Sequence, residues 1–119
     1  MAYTPIPMSD TIILIKRDGM GSSDAELQHK LIDTYLRLLI ENDTLPAAIC
    51  FYTEGVKLVV EGSPVLERLS QLEQKGVRLI VCSTCLNYYG LTEKVRAGIP
   101  GGMGDILEAQ VKAGKVISL

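Results

Sequence analysis

The sequence predicts an α/β protein built on a mostly parallel β-sheet with helices on both faces. Three observations predict it. Short apolar runs rich in β-branched or aromatic residues recur at Thr11–Ile15, Ala47–Tyr52 and, with Arg78 as its one charged residue, Val77–Cys82, as in strands covered on both faces. Stretches of helical length with apolar residues at helical spacing separate them. Helix-starting and helix-stopping residues fall between the two kinds of segment, which argues for βαβ units with right-handed crossovers.

Residues 1–10 carry Pro5 and Pro7 without periodicity and read as an irregular lead-in, and residues 11–119 as one α/β domain. Asp18–Ser22 breaks the first strand. Ser23 followed by Glu26 fits a capping box, and Leu27, Leu31, Tyr35, Leu38 and Leu39 then share a helix face closed by Asn42-Asp43. Pro46 leads into the second strand. Glu54-Gly55 and Gly62 bracket about one helical turn, whose apolar Val56–Val60 points to burial against a partner subunit. Ser63-Pro64 reads as an N-cap with proline at the first helical position. Leu66, Leu69 and Leu72, with Val65, form the inner stripe, and Gly76 stops that helix. After the third strand come a short helix over Leu86–Gly90, a weak fourth strand over Val95–Ile99, and a helix after Gly101-Gly102. Met103, Ile106, Leu107 and Val111 are the apolar face of that helix. Gly114 ends it, and Lys115–Leu119 is the last strand.

With 12 basic and 14 acidic side chains the net charge is −2, which gives no field for nucleic acid or an anionic membrane. The start of the chain lacks the basic cluster and apolar stretch of a signal peptide, and no apolar run is long enough to span a bilayer. A cytoplasmic location is expected. The three cysteines, an odd number, do not suggest an extracellular disulfide framework. In a reducing compartment a close pair points to catalysis, redox chemistry or metal binding.

That pair is Cys82-Ser83-Thr84-Cys85, at the end of an apolar strand and the start of a helix. Open α/β sheets place ligands at the carboxyl ends of their strands. Unpaired N–H groups at a helix start favour thiolate over thiol. The spacing lets the second sulfur reach the first, which suits disulfide exchange or release of a sulfur held as a persulfide. Cys82, nearest the helix start, is expected to be the nucleophile and Cys85 the auxiliary thiol. Cys50, inside an apolar strand, reads as a small core residue. A zinc site needs four ligands, and there is no second C-x-x-C and no H-x-x-x-H. No metal or organic cofactor is expected. His29, the only histidine, reads as a packing or solvated residue, so no Cys–His pair is evident.

Other candidates follow the first two strands and share the same sheet edge. Gly19-Met20-Gly21 could wall the cysteine pocket or bind an anion, or serve only as a tight turn; it lacks the third glycine of G-x-G-x-x-G and the Gly-Lys-Ser/Thr of a P-loop. Thr53, Gly55 and Lys57 follow the second strand, where Lys57 either favours a thiolate or is an ordinary surface lysine. Ser83, Thr84 and Tyr88 complete the candidate pocket. Of Tyr88 and Tyr89, one packs in the core and the other lines the pocket or an oligomer contact.

Met20-Gly21, Leu45-Pro46, Phe51-Tyr52, Gly55-Val56-Lys57-Leu58, Glu61-Gly62-Ser63, Gly76-Val77 and Cys82-Ser83-Thr84-Cys85-Leu86-Asn87-Tyr88-Tyr89-Gly90-Leu91 occur in this order. In this the chain, from about Ile12 onward, resembles the DsrE/DsrF-like family. Within it the chain is most similar to the C-terminal domain of YedF-type proteins, which are sulfurtransferase-like and linked to selenium metabolism. The resemblance implies a three-layer α/β/α domain with a five-stranded, largely parallel sheet, assembled as a homo-oligomer. It also implies a persulfide on the cysteine after the third strand, matched by Cys82, eight residues before a glycine, matched by Gly90. Cys85 matches the second cysteine of the YedF-type pattern. The chain differs from that pattern in having Ser83 for glycine, Thr53 for asparagine and Gly102 for the asparagine before Met103. YedF-type proteins also carry a domain similar to the small sulfur carrier TusA, so a TusA-like donor or acceptor is implied.

The expected function is therefore sulfur or selenium relay, with a persulfide on Cys82. One alternative is a thiol–disulfide redox protein using the same pair. Thioredoxins place C-x-x-C early in the chain after an aromatic residue, whereas here it follows a third strand and Val81. The other alternative is a non-catalytic subunit of an oligomer.

Overall fold

A computed structural model of the chain describes residues 8–119. The chain runs β1 (Met8–Ile15), α1 (Ala25–Glu41), β2 (Pro46–Phe51), a 3-10 helix (Thr53–Val59), α2 (Leu66–Gln74), β3 (Arg78–Cys82), α3 (Ser83–Tyr88), a 3-10 turn (Thr92–Lys94), β4 (Ile99–Gly101), α4 (Met103–Lys112) and β5 (Lys115–Ser118). The strands form one sheet in the order β4-β3-β2-β1-β5, and every neighbouring pair is parallel. The register sets Ile117, Ile13, Ile49 and Leu79 in one row across four strands. This row explains the apolar runs, since the middle strands have no solvent face.

The connections through α1 and α2 each step one strand toward β4, while α4 carries the chain back across the sheet to β5. Right-handed crossovers put these two directions of travel on opposite faces, giving three α/β/α layers. Ile32, Leu36 and Leu39 of α1, with Val65, Leu69 and Leu72 at α2, bury their side chains in the core. Arg68 joins the two helices through Asp33 at 3.2 Å. On the other face α4 contributes Ile106 to the core.

Several expectations are corrected. β1 begins at Met8, so the irregular lead-in does not extend to residue 10; residues 1–7 lie outside the described part. Asp24, not Ser23, caps α1, accepting from the Leu27 N–H at 3.0 Å. The buried face of α1 is Ile32–Leu36–Leu39, and Leu27, Leu31 and Leu38 are exposed, because leucines occupy both sides of the helix and only one can meet the sheet. α2 starts at Leu66 rather than at Pro64, and the Ser63 hydroxyl accepts from Val65 in the turn before it. Val56, Leu58, Val59 and Val60 are buried in this chain's own core rather than reserved for a partner. The short helix begins at Ser83. The fourth strand is Ile99–Gly101, not Val95–Ile99; Val95 instead bridges Val60 in antiparallel fashion. At α4 only Ile106 of the expected apolar face is buried, while Met103, Leu107 and Val111 face outward.

Cys50 is fully enclosed within β2, and burial pushes its thiol up to about 11 against a smaller opposing pull from Arg78. An unfolded cysteine ionises near 8.5. Below that pH both states hold the proton and the stability is complete; as pH rises, the unfolded chain ionises first and stability falls, until the folded thiol ionises near 11. The expected loss is about 3 kcal/mol. Urea unfolding of wild type and Cys50→Ala at neutral and alkaline pH measures it. The variant should lose less stability on raising the pH, and identical losses in the two proteins contradict the assignment.

Candidate functional site

β3 delivers Cys82 to the carboxyl edge of the sheet, and the chain turns at once into α3. Cys82 is the extended N-cap residue of this six-residue helix, and its side chain caps no N–H. At 1% exposure it lies under the surface, whereas Cys85, one turn further on, is half-buried. Both thiols are free, and Cys82 adjoins Cys85 closely enough to affect its ionisation. A donor comes from the neighbouring strand end: the Thr53 N–H points to Cys85 Sγ at 3.1 Å.

That N–H is aimed by an unusual turn. Thr53 sits at φ 47°, in the left-handed region that β-branched residues rarely adopt. Its hydroxyl donates within reach of the Lys16 carbonyl at 2.6 Å and the Tyr52 carbonyl at 2.7 Å. The Tyr52 N–H bonds the Ile15 carbonyl at 3.1 Å, and the Gly55 N–H returns to Tyr52 at 3.0 Å. Gly55 lies so close to the Ile15 carbonyl that a Cβ would collide with it. The turn after β2 is thus seated on the end of β1, and Thr53 is held where its N–H meets the sulfur.

Beside Thr53 lies an open cleft of about 470 Å³ lined by Lys16, Arg17, Gln28, Tyr52, Glu54 and Tyr89 as well as Thr53. The two cations against one carboxylate make its lining net positive. Of the expected residues, the structure brings Cys82, Cys85, Thr53 and Gly55 together. Ser83 and Thr84 are exposed on the first turn of α3. Lys57 lies 4.8 Å over the Tyr89 ring rather than at a sulfur. Tyr88 is 83% exposed, and it is Tyr89, packed edge-on against it, that lines the cleft. Gly19, Met20 and Gly21 stay outside the lining. The Gly19 N–H bonds Arg17, the Met20 N–H bonds the Gln28 carbonyl, and the Ser23 N–H bonds Gln28 Oε1, so this loop spends donors on itself that an anion would need. His29 pairs with Asp18 at 3.1 Å. Among the described residues no cluster of His, Cys, Asp and Glu could hold a metal ion. Tyr89 is one of the two tyrosines expected to line the pocket, and Tyr52 lies in a family segment; Lys16, Arg17, Gln28 and Glu54 carry no motif, and only the knowledge that the ends of β1 to β3 adjoin could have found them.

The Cys85 thiol is pushed above its ordinary value, first by burial and then by the neighbouring Cys82, while the Thr53 N–H pulls it back. Loss of one proton leaves a charge that the remaining S–H and the Thr53 N–H both stabilise. The arrangement suits attack on sulfur, release of a thiolate, or closure of a disulfide.

Gly55→Ala is expected to cost about 2–4 kcal/mol, because backbone rather than a flexible side chain must move. Gly104→Ala, on open helix surface, should stabilise by up to about 1 kcal/mol. Thermal or urea unfolding of both variants checks the contrast, and a neutral Gly55→Ala refutes the seating of the turn on β1.

Comparison with known proteins agrees with this architecture. The chain matches no curated protein. Among solved structures it is similar to protein MTH1491 from Methanobacterium thermoautotrophicum, with 22% identity, a TM-score of 0.68, and coverage of 92% of this chain and 97% of that one. The ychN protein from E. coli superimposes with a TM-score of 0.71 at 18% identity over 94% of this chain and 100% of the other. Protein BT1422 from Bacteroides thetaiotaomicron gives 0.65 at 17% identity over 92% and 95%. At these identities the likeness establishes the fold. The sequence itself matches the DsrE/DsrF-like family over residues 18–119, and the chain belongs to that family.

Proposed function

We propose that this protein is a sulfur relay protein that holds sulfane sulfur, or its congener selenium, as a persulfide on the Cys82–Cys85 pair. Membership of the DsrE/DsrF-like family, which is associated with sulfur relay, supports the general role. The observation that carries the finer reading is the pair itself: two free, adjacent thiols at the strand end, with a main-chain N–H directed at the more accessible sulfur. A thiolate of the pair attacks the outer sulfur of a donor persulfide. The donor S–S bond breaks, its thiolate leaves, and the protein keeps a Cys–S–S⁻ group. Attack by an acceptor thiolate on the outer sulfur reverses the sequence. A small thiol carrier of the TusA type fits as donor or acceptor, and no metal or organic cofactor takes part. Intact-mass measurement after incubating the reduced protein with a persulfide donor should register one added sulfur atom, which is lost again to an acceptor thiol. An unchanged mass contradicts relay. The mutual contact of the sulfurs also favours thiol–disulfide exchange as a second reading, and a reversible disulfide at an oxidoreductase-like potential without sulfur uptake would select it.

We further propose that α4 pairs with its counterpart in a second copy. Met103, Leu107 and Val111 repeat every fourth residue and face outward, Val111 at 75% exposure. Along α4, Asp105 and Glu108 precede Lys112, so an antiparallel pair related by a two-fold axis sets the acidic part of each helix against the basic end of the other. Leu107→Lys should lower the mass in solution, measured by light scattering, without unfolding the chain. Persistence of the wild-type mass removes α4 from the interface.

A further inference from the structure

The relay reading leaves open which sulfur bears the cargo. We infer that Cys85 is the sulfur-carrying thiol, loaded from the Lys16–Tyr89 cleft, that Cys82 is the buried thiol that discharges it, and that Thr53 is the positioning residue for the carrier sulfur. The inference rests on the relay reading and reverses the order of roles expected from the sequence alone.

Three observations carry it. The first is access. Cys82 has 1% of its surface exposed, while Cys85 is partly open and accepts a hydrogen bond from Thr53, a residue of the cleft wall. A donor must bring its S–S bond into line with the attacking sulfur, and Cys85 can be approached without moving the end of β3. The second is the Thr53 N–H itself. In loading, the carrier sulfur attacks as a thiolate, and a fixed N–H at 3.1 Å stabilises that charge. Among the described residues, the main-chain donor directed at the pair goes to Cys85; the Cys82 side chain caps no N–H of α3. The third is the conformation of Thr53. A β-branched residue at φ 47° is strained, and the strain is held by its hydroxyl on the Lys16 and Tyr52 carbonyls. Strain kept in this way at a turn whose N–H meets a reactive sulfur points to positioning.

The chemistry balances within the chain. The Cys85 thiolate attacks the outer sulfur of the donor, a new S–S bond forms, the donor S–S bond breaks, and the donor thiolate leaves. For discharge, the Cys82 thiol gives up its proton and attacks Cys85 Sγ. The bond from Cys85 to the outer sulfur breaks, the Cys82–Cys85 disulfide forms, and the outer sulfur takes the Cys82 proton and leaves as hydrosulfide. The two cysteines are oxidised as the sulfane sulfur is reduced. Residues three apart at a helix start have the separation a disulfide requires.

Glutathione persulfide serves as the probe. Wild type, Cys82→Ala and Cys85→Ala are loaded, trapped by alkylation, and mapped by peptide mass spectrometry, with sulfide release followed in parallel. The added sulfur is expected on Cys85 in wild type and in Cys82→Ala. Cys82→Ala should release no sulfide and form no disulfide, and Cys85→Ala should take up at least tenfold less sulfur. Thr53→Val should move the pH midpoint of loading upward, since removing the hydroxyl frees the N–H from its aim. Sulfur found on Cys82 in wild type, together with full loading of Cys85→Ala, overturns the assignment while leaving relay standing. No sulfur on any of the three proteins overturns relay and this assignment together. An unmoved midpoint in Thr53→Val removes the positioning role.

Discussion

At the carboxyl ends of β1 and β2 the chain packs backbone against backbone. The Ile15 carbonyl takes the Tyr52 N–H and faces Gly55 with no room for a side chain, and the next carbonyl, that of Lys16, takes the Thr53 hydroxyl. The 3-10 helix that starts there sends Val56, Leu58 and Val59 into the core, which fixes the turn from below. Because α3 packs against the same 3-10 helix, the position of Cys85 relative to Thr53 follows from this one close approach. The geometry of the thiol pair is therefore inherited from the packing of the sheet end rather than from any contact made by α3 alone.

The Thr53 turn shows how local cost and site geometry are linked. A left-handed β-branched residue costs of the order of 1–3 kcal/mol, and the one hydroxyl proton, shared between the Lys16 and Tyr52 carbonyls, returns about 1 kcal/mol. The net expense is small, and what it secures is the direction of one N–H. Glycine at this position would adopt the same conformation without strain but would have no hydroxyl to fix it. Asparagine, found here in YedF-type sequences, tolerates the left-handed region and keeps a polar side chain. Threonine reaches the same backbone shape by a different route.

The parts of the fold written in continuous stretches of sequence were legible. β1, β2 and β3 announce themselves as apolar runs, and the C-x-x-C spacing marks the thiols without help from tertiary structure. α1 was harder, because Leu27, Leu31 and Leu38 make a stripe as regular as Ile32, Leu36 and Leu39, and only the sheet decides between them. β4 was misplaced because its Ile-Pro-Gly sequence carries almost no strand signal, while Val95, which does, makes only a single bridge. The cleft was the least legible part. Lys16, Tyr52 and Tyr89 come from three separate strand ends, and nothing local to any of them reports the others. The relative access of the two cysteines was hidden for the same reason, since the walls that cover Cys82 are distant in sequence.

The two outer strands are short. β4 has three residues, with Pro100 in the middle, and β5 has four. A proline offers no N–H to a further strand, and such brief edges give an incoming chain little to pair with. Growth of the sheet from one molecule into the next is therefore disfavoured at both margins. The exposed leucines of α1 and the outward residues of α4 lie on the helical layers instead. Side-chain packing between such helical layers is limited by shape and can close, whereas main-chain pairing at a sheet edge has no natural end.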